Sequence, residues 1–130
     1  MGSNVKRIPM TDQIGIDLDR IEDQVSSRTK MVYLCNPNNP TGALMPTSRL
    51  ESFCKTVSKK STIFVDEAYH EYVMDPNYRS MIDLVKLGYN VIVSRTASKV
   101  HGLAGLRVGF AITSPEIANQ MESYLTDSLN

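Results

Sequence analysis

This chain predicts an α/β fold with a mostly parallel sheet, on three observations. Short apolar runs alternate along the sequence with segments whose apolar residues recur at helical spacing. Two of these runs are cut off by a turn-forming or acidic signature, at Asn36-Pro37 and at Asp66-Glu67. The 130 residues are enough for one domain with a sizeable core and too few for two ordinary ones. Strand–helix alternation on this scale is the pattern of parallel strands joined by right-handed helical crossovers.

The elements follow in order. Val5–Met10 alternates weakly and predicts a short strand. Ile16 to Val25 places apolar residues at 18, 21 and 25 with acids early in the segment, a helix whose N-terminal dipole favours them. Met31–Cys35 is an apolar run stopped by Asn36-Pro37, a buried strand. A second amphipathic helix is predicted from about Thr47 to Ser58, capped by Thr47 or Ser48. Thr62–Val65 is the next strand, a helix near Ser80–Leu87 closes at Gly88, and Val91–Val93 and Arg107–Thr113 are further strands. Ser114-Pro115-Glu116 opens a last helix with proline at its first position. Parallel strands bring their carboxyl ends to one edge, where open α/β sheets bind ligands. Asn36–Gly42, Asp66–Tyr69 and Thr96–Lys99 each lie just beyond such an end and are expected to converge there.

Composition narrows the partners. Lys+Arg and Asp+Glu both total 14 with no like-charge block, which argues against a nucleic-acid or membrane-surface footprint. There is no apolar run of membrane-spanning length, and Met1-Gly-Ser-Asn-Val-Lys-Arg lacks the apolar core of a secretory signal. Cys35 and Cys54 stand in no metal or Cys-x-x-Cys spacing and read as small buried residues of a reducing cytoplasm. His70 and His101 lack any ligand spacing, so no metal is expected.

The stretch Ser94-Arg-Thr-Ala-Ser-Lys99-Val-His-Gly-Leu-Ala-Gly-Leu-Arg107-Val-Gly109 carries the chemistry. Lys99 sits between small hydroxyl residues directly after an apolar run, with glycines and an arginine following. A lysine there can form a Schiff base, provided that partial burial and a neighbouring cation such as Arg107 favour its neutral amine. Thr96, Ser98 and Arg107 can clamp a phosphate, the arginine through its planar fork. An aldehyde and a phosphate on one small molecule point to pyridoxal phosphate. Asp66, ending a strand, can keep a pyridine nitrogen protonated, and Tyr69 can donate to a ring oxygen. Apolar strand plus Asp66-Glu67 is also compatible with a Walker B element, but no Gly-x-x-x-x-Gly-Lys-Ser/Thr loop accompanies it. In Asn36-Pro-Asn-Asn-Pro-Thr-Gly42 the prolines and glycine make a rigid turn, and Asn39 is the residue assigned to the ring oxygen.

These segments resemble the fold-type I pyridoxal-phosphate aminotransferases of class I/II. Asn36–Gly42 is similar to the family's Asn-Pro-x-Asn-Pro-Thr-Gly turn, Asp66-Glu-Ala-Tyr69 to its Asp-x-x-Tyr element, and Ser98-Lys99 with Gly105-Leu-Arg107-Val-Gly109 to its lysine signature. The pattern is nearest to histidinol-phosphate aminotransferases and their relatives, and it runs from about residue 5 to about residue 120. The resemblance implies a three-layer α/β sandwich of which residues 1–130 form part of the large, cofactor-binding domain. It implies Lys99 as Schiff-base lysine and proton carrier, Asp66 at the pyridine nitrogen, Asn39 and Tyr69 at the ring oxygen, and Thr96, Ser98 and Arg107 at the phosphate. The implied reaction is transamination between an amino acid or amino phosphate ester and a 2-oxo acid, in a cytoplasmic homodimer. No counterpart is found for the family's upstream glycine-rich phosphate loop, its N-terminal segment, or its C-terminal small domain. The chain is therefore expected to be a fragment with little or no turnover of its own. Decarboxylation or elimination on the same fold, and a non-catalytic piece that folds only with a partner, remain as alternatives.

Overall fold

The computed structural model describes residues 4–124. One sheet has the strand order β1 (Met31–Cys35), β2 (Thr62–Asp66), β3 (Val91–Thr96), β4 (Gly109–Ile112). β1, β2 and β3 run parallel and β4 antiparallel. The helices are α1 (Leu18–Gln24), α2 (Thr47–Val57), α3 (Ile82–Lys86) and α4 (Pro115–Glu122). Helices α2 and α3 are the crossovers between the parallel strands. The β3–β4 connection holds only the 3₁₀ turn Ala104–Leu106, so the chain folds back beside β3 instead of crossing over.

Period-two alternation decides which residues meet the helices. Val32, Leu34, Ile63, Val65, Val91 and Val93 form one buried face of the parallel strands. Against it α2 sets Leu50, Phe53, Cys54 and Val57, residues at i, i+3, i+4 and i+7, while Leu18 and Leu84 come from α1 and α3. Each such aliphatic or aromatic side chain contributes about 1.5–3 kcal/mol by leaving water. On the opposite face Met31 and Tyr33 stay 51% and 59% exposed, and no helix of the described residues covers them. The helical layer present is thus one side of the expected sandwich.

Several local expectations are corrected. Val5–Met10 is not a strand: it has no ladder partner among the described residues, and Pro9 has no N–H to offer one. Neither Thr47 nor Ser48 caps α2, because Pro46 holds that position and the Thr47 hydroxyl instead donates to Asn77 O at 3.1 Å. The last strand begins at Gly109 rather than Arg107, since Arg107 occupies a left-handed turn at φ +52°. The helix expected near Ser80–Leu87 is confined to Ile82–Lys86, where Gly88 at φ +83° ends it as anticipated. At α4 the forecast holds closely: Ser114 Oγ accepts the N–H of Ile117 at 3.4 Å, with Pro115 at the first position.

A buried ion pair ties the carboxyl ends of β2 and β3 to the start of α3. Glu67 is 1% exposed, and its Oε1 accepts the Met81 N–H at 2.8 Å. Its Oε2 accepts the Ser80 hydroxyl at 2.7 Å and Arg95 Nε at 3.0 Å, with Arg95 Nη2 at 2.8 Å. Arg95 also donates to Ser80 Oγ at 3.1 Å and approaches Glu71 at 3.6 Å. Every polar atom of the pair is engaged, which is the condition under which a buried charge pair is tolerated. Beside it His70 Nδ1 lies 3.3 Å from the Tyr78 hydroxyl and 3.9 Å from Glu67. Desolvation, and next the charge of Arg95, lower the His70 pKa, outweighing the opposing pull of Glu67 and Glu71.

Two outcomes follow from this network. Arg95→Met, which strands the Glu67 carboxylate, is expected to cost about 3 kcal/mol in urea unfolding. Adding Glu67→Leu should recover part of that loss, because no buried charge is then left unpaired. His70 is less easily protonated folded than unfolded, so its contribution to stability is complete above about pH 6.5 and is lost as pH falls below it. Thermal melts should therefore lose midpoint through that window, and His70→Gln should flatten the slope there.

Candidate active site

The polypeptide around Asn36 is built to present Asn39. Asn36 continues the β1–β2 ladder, donating its N–H to Asp66 O at 2.9 Å. Its side chain is 1% exposed and accepts the Met45 N–H at 2.9 Å, which pins the far end of the turn. Within the turn Gly42 N donates to Asn38 O at 2.7 Å, at a φ of +71° that favours glycine. The Asn36–Pro37 and Asn39–Pro40 peptide bonds are both cis. Held in this way, Asn39 Nδ2 donates to the Tyr69 hydroxyl at 3.1 Å.

Asp66 closes β2 on the face away from the helices. The register sets Cys35, Asp66, Ser94 and Ala111 side by side across the sheet. One carboxylate oxygen of Asp66 accepts the Ser94 hydroxyl at 3.0 Å and the Ala68 N–H at 3.1 Å. The other accepts the Tyr33 hydroxyl at 2.8 Å. Lys99, in the turn after β3, carries its Nζ 5.1 Å from the centre of the Tyr69 ring, a cation–π contact. Tyr33, Cys35, Asn38, Asn39, Asp66, Ala68, Tyr69 and Lys99 together line a cavity of about 360 Å³ beyond the carboxyl ends of the parallel strands.

Four of the seven expected residues therefore meet in one place: Asn39, Asp66, Tyr69 and Lys99. The other three stand apart from that cavity. Thr96 Oγ1 donates to Val108 O at 3.3 Å and accepts the Ser98 N–H at 3.1 Å, so these two residues tie the loop to itself. Arg107 is exposed, and its guanidinium donates to Ala104 O at 3.1 Å. Lys99 is also exposed rather than half-buried. His101 is exposed, and His70 belongs to the ion-pair network around Glu67.

Tyr33, Cys35 and Ser94 were not anticipated. The signal was the alternation of their strands, which puts them on Asp66's face, but only the pairing register reveals that they share its row. Cys35 is half-buried and its thiol donates to Pro37 O at 3.3 Å. Burial pushes its pKa up, with a further rise from Asp66 and an opposing hydrogen bond from Asn39.

The donor set fits the groups of pyridoxal phosphate. A carboxylate, an amide–phenol pair and a primary amine around a volume of about 360 Å³ match a ring nitrogen, a ring oxygen and an aldehyde. No group of three or more His, Cys, Asp or Glu among the described residues could hold a metal ion. No helix of the described residues is long and apolar enough to cross a membrane.

Comparison with known proteins identifies the family. The chain is 40% identical over 121 residues to the histidinol-phosphate aminotransferase of Brevibacillus brevis, covering 93% of this chain and 33% of the relative. Among solved structures, a protein of Erwinia carotovora atroseptica provisionally assigned as a histidinol-phosphate aminotransferase superposes with a TM-score of 0.86 at 35% identity, over 92% of this chain and 36% of that one. The histidinol-phosphate aminotransferase of Sinorhizobium meliloti, solved in complex with pyridoxal-5'-phosphate, gives a TM-score of 0.79 at 29% identity, over 92% of this chain and 32% of that one. The chain thus spans about a third of the length of the curated relatives it matches. The match to the family itself extends over residues 1–128, nearly end to end, and with the strand order and the convergent motifs it establishes that this chain belongs to aminotransferase class I and II.

Proposed function

We propose that this chain carries the cofactor-binding part of a pyridoxal-phosphate-dependent aminotransferase. The whole protein would exchange an amino group between an amino acid, or a histidinol-phosphate-like amino phosphate ester, and a 2-oxo acid. The observation that carries the reading is the meeting of Lys99, Asp66 and the Asn39–Tyr69 pair on one cavity. The relatives and the pyridoxal-phosphate complex of the Sinorhizobium meliloti enzyme support the cofactor and the reaction class.

Pyridoxal phosphate, when bound, supplies an aldehyde for covalent attachment of an amine and a ring that takes up the electron pair of a bond broken at the amino carbon. The chain's own groups have distinct tasks. Lys99 Nζ would hold the cofactor through its aldehyde and would serve as the base that holds and moves a proton at the amino carbon. Asp66 would present a carboxylate oxygen to the ring nitrogen, oriented by Ser94, Ala68 and Tyr33. Asn39 and Tyr69, already paired, would donate to the ring oxygen. Thr96, Ser98 and Arg107 are the phosphate residues of this reading, and Arg107 has to leave Ala104 O to take that part. Residues 1–130 serve as part of the large domain, and the whole protein acts as a homodimer. Turnover by the 130-residue chain alone is expected to be small.

The test is addition of pyridoxal phosphate to the purified chain, followed by visible spectroscopy, borohydride trapping and peptide mapping. A visible band with the label on the Lys99 peptide is expected, and Lys99→Ala should abolish both. Asp66→Asn should keep the label and weaken binding about tenfold or more, through loss of a charge-assisted contact. Labelling scattered over exposed lysines, or unchanged in Lys99→Ala, would overturn the reading for this chain.

A further inference from the structure

We infer that Tyr33 is a positioning residue for Asp66, holding the carboxylate that the cofactor's ring nitrogen would meet. This rests on the cofactor reading above and adds to it a residue that lies outside the motifs. Tyr33 is in mid-β1, far in sequence from the Asp-x-x-Tyr element and from the lysine loop. Its hydroxyl nevertheless donates to Asp66 Oδ2 at 2.8 Å, and both residues line the cavity that Lys99 enters.

The geometry gives that hydrogen bond a specific task. Ser94 and Ala68 both donate to Oδ1, at 3.0 and 3.1 Å, so that oxygen is held from the β3 side and from its own turn. Among the described residues Tyr33 is the one donor to Oδ2. Rotation of the carboxylate about its last bond is therefore opposed at one oxygen by two short local groups and at the other by a phenol from β1. The phenol is itself braced: its ring stacks on Phe64 at 5.6 Å between centres and 23° between planes, one strand over and in register. Desolvation, and next the hydrogen bond and charge of Asp66, raise the Tyr33 pKa well above that of a free tyrosine. It thus remains a proton donor throughout the neutral range.

A group that fixes a carboxylate before the ligand arrives spares the complex that ordering cost. The same hydrogen bond also takes up negative charge on Oδ2, so its removal alters what a ring nitrogen encounters there. Tyr33→Phe deletes only the hydroxyl and keeps the stack on Phe64. It should weaken pyridoxal-phosphate binding about tenfold and shift the pH dependence of the bound cofactor's visible band. In an Asp66→Asn background the same substitution should have almost no further effect, because its target is gone.

The experiment is that double-mutant cycle, read by equilibrium binding and by the band's pH profile. It is run alongside a cofactor-free measurement on the full chain carrying ¹³Cζ-tyrosine. The resonance lost in Tyr33→Phe should move when Asp66 is changed to Asn, which tests the contact without any cofactor. A resonance that does not move overturns the proposal. So do losses that add across the cycle with an unshifted pH profile, which would make Tyr33 a packing residue only. If the resonance moves but wild type shows no Lys99-dependent band, the cofactor reading fails, and the role assigned to Tyr33 fails with it.

Discussion

The bonded row at the carboxyl ends of β2 and β3 is the constraint on which the site depends. Adjacent residues of a strand face opposite ways, so this row has two sides with different work. On the helix side Glu67 and Arg95 form a buried, fully bonded pair that also seizes the first turn of α3. On the other side their neighbours Asp66 and Ser94 are bonded to each other at the cavity. The backbone between the two is shared. Whatever holds Glu67 against Arg95 also sets where Asp66 stands and where the lysine turn leaves β3.

This division explains why charges are placed as they are. A buried ion pair seldom adds much net stability over a well-packed apolar alternative, but breaking it is costly. Such a pair suits a position where register has to be unique, because a slip of one residue would turn Asp66 inward and Glu67 outward. The apolar core beneath, from Val32 and Leu34 across to Val91 and Val93, supplies the bulk of the driving force without that specificity.

Within the site the parts differ in how completely they are formed. Asn39, Tyr69 and Asp66 are fixed by short-range chemistry: the Asn36–Gly42 turn, the 3₁₀ turn after β2, and hydrogen bonds across β1, β2 and β3. The residues proposed for the phosphate lie at the end of β3 (Thr96) and on the β3–β4 connection (Ser98 and Arg107), and their polar atoms bond mainly within that stretch. A ligand phosphate would compete with those internal bonds, and Arg107 would have to exchange Ala104 O for it. The groups around Asp66 are preorganised, and those proposed for a phosphate are not.

By itself the sequence determined the class of fold, the five central elements from Met31 to Val93, and four residues that meet at one cavity, Asn39, Asp66, Tyr69 and Lys99. It could do so because apolar periodicity, the Asn-Pro turn and the small-residue setting of Lys99 are local signals. It could not supply the antiparallel turn of β4, the unpaired state of Val5–Met10, or the Pro46 cap, each of which depends on what a segment finds beside it. Locally Glu67 entered only as half of an Asp-Glu pair, and nothing in the pattern set Arg95 or Tyr33 apart. Only the tertiary structure put Tyr33, Asp66 and Ser94 in contact and set Glu67 against Arg95. The physical reason is register: strand pairing brings residues some thirty positions apart within about 3 Å, a relation that no local pattern encodes.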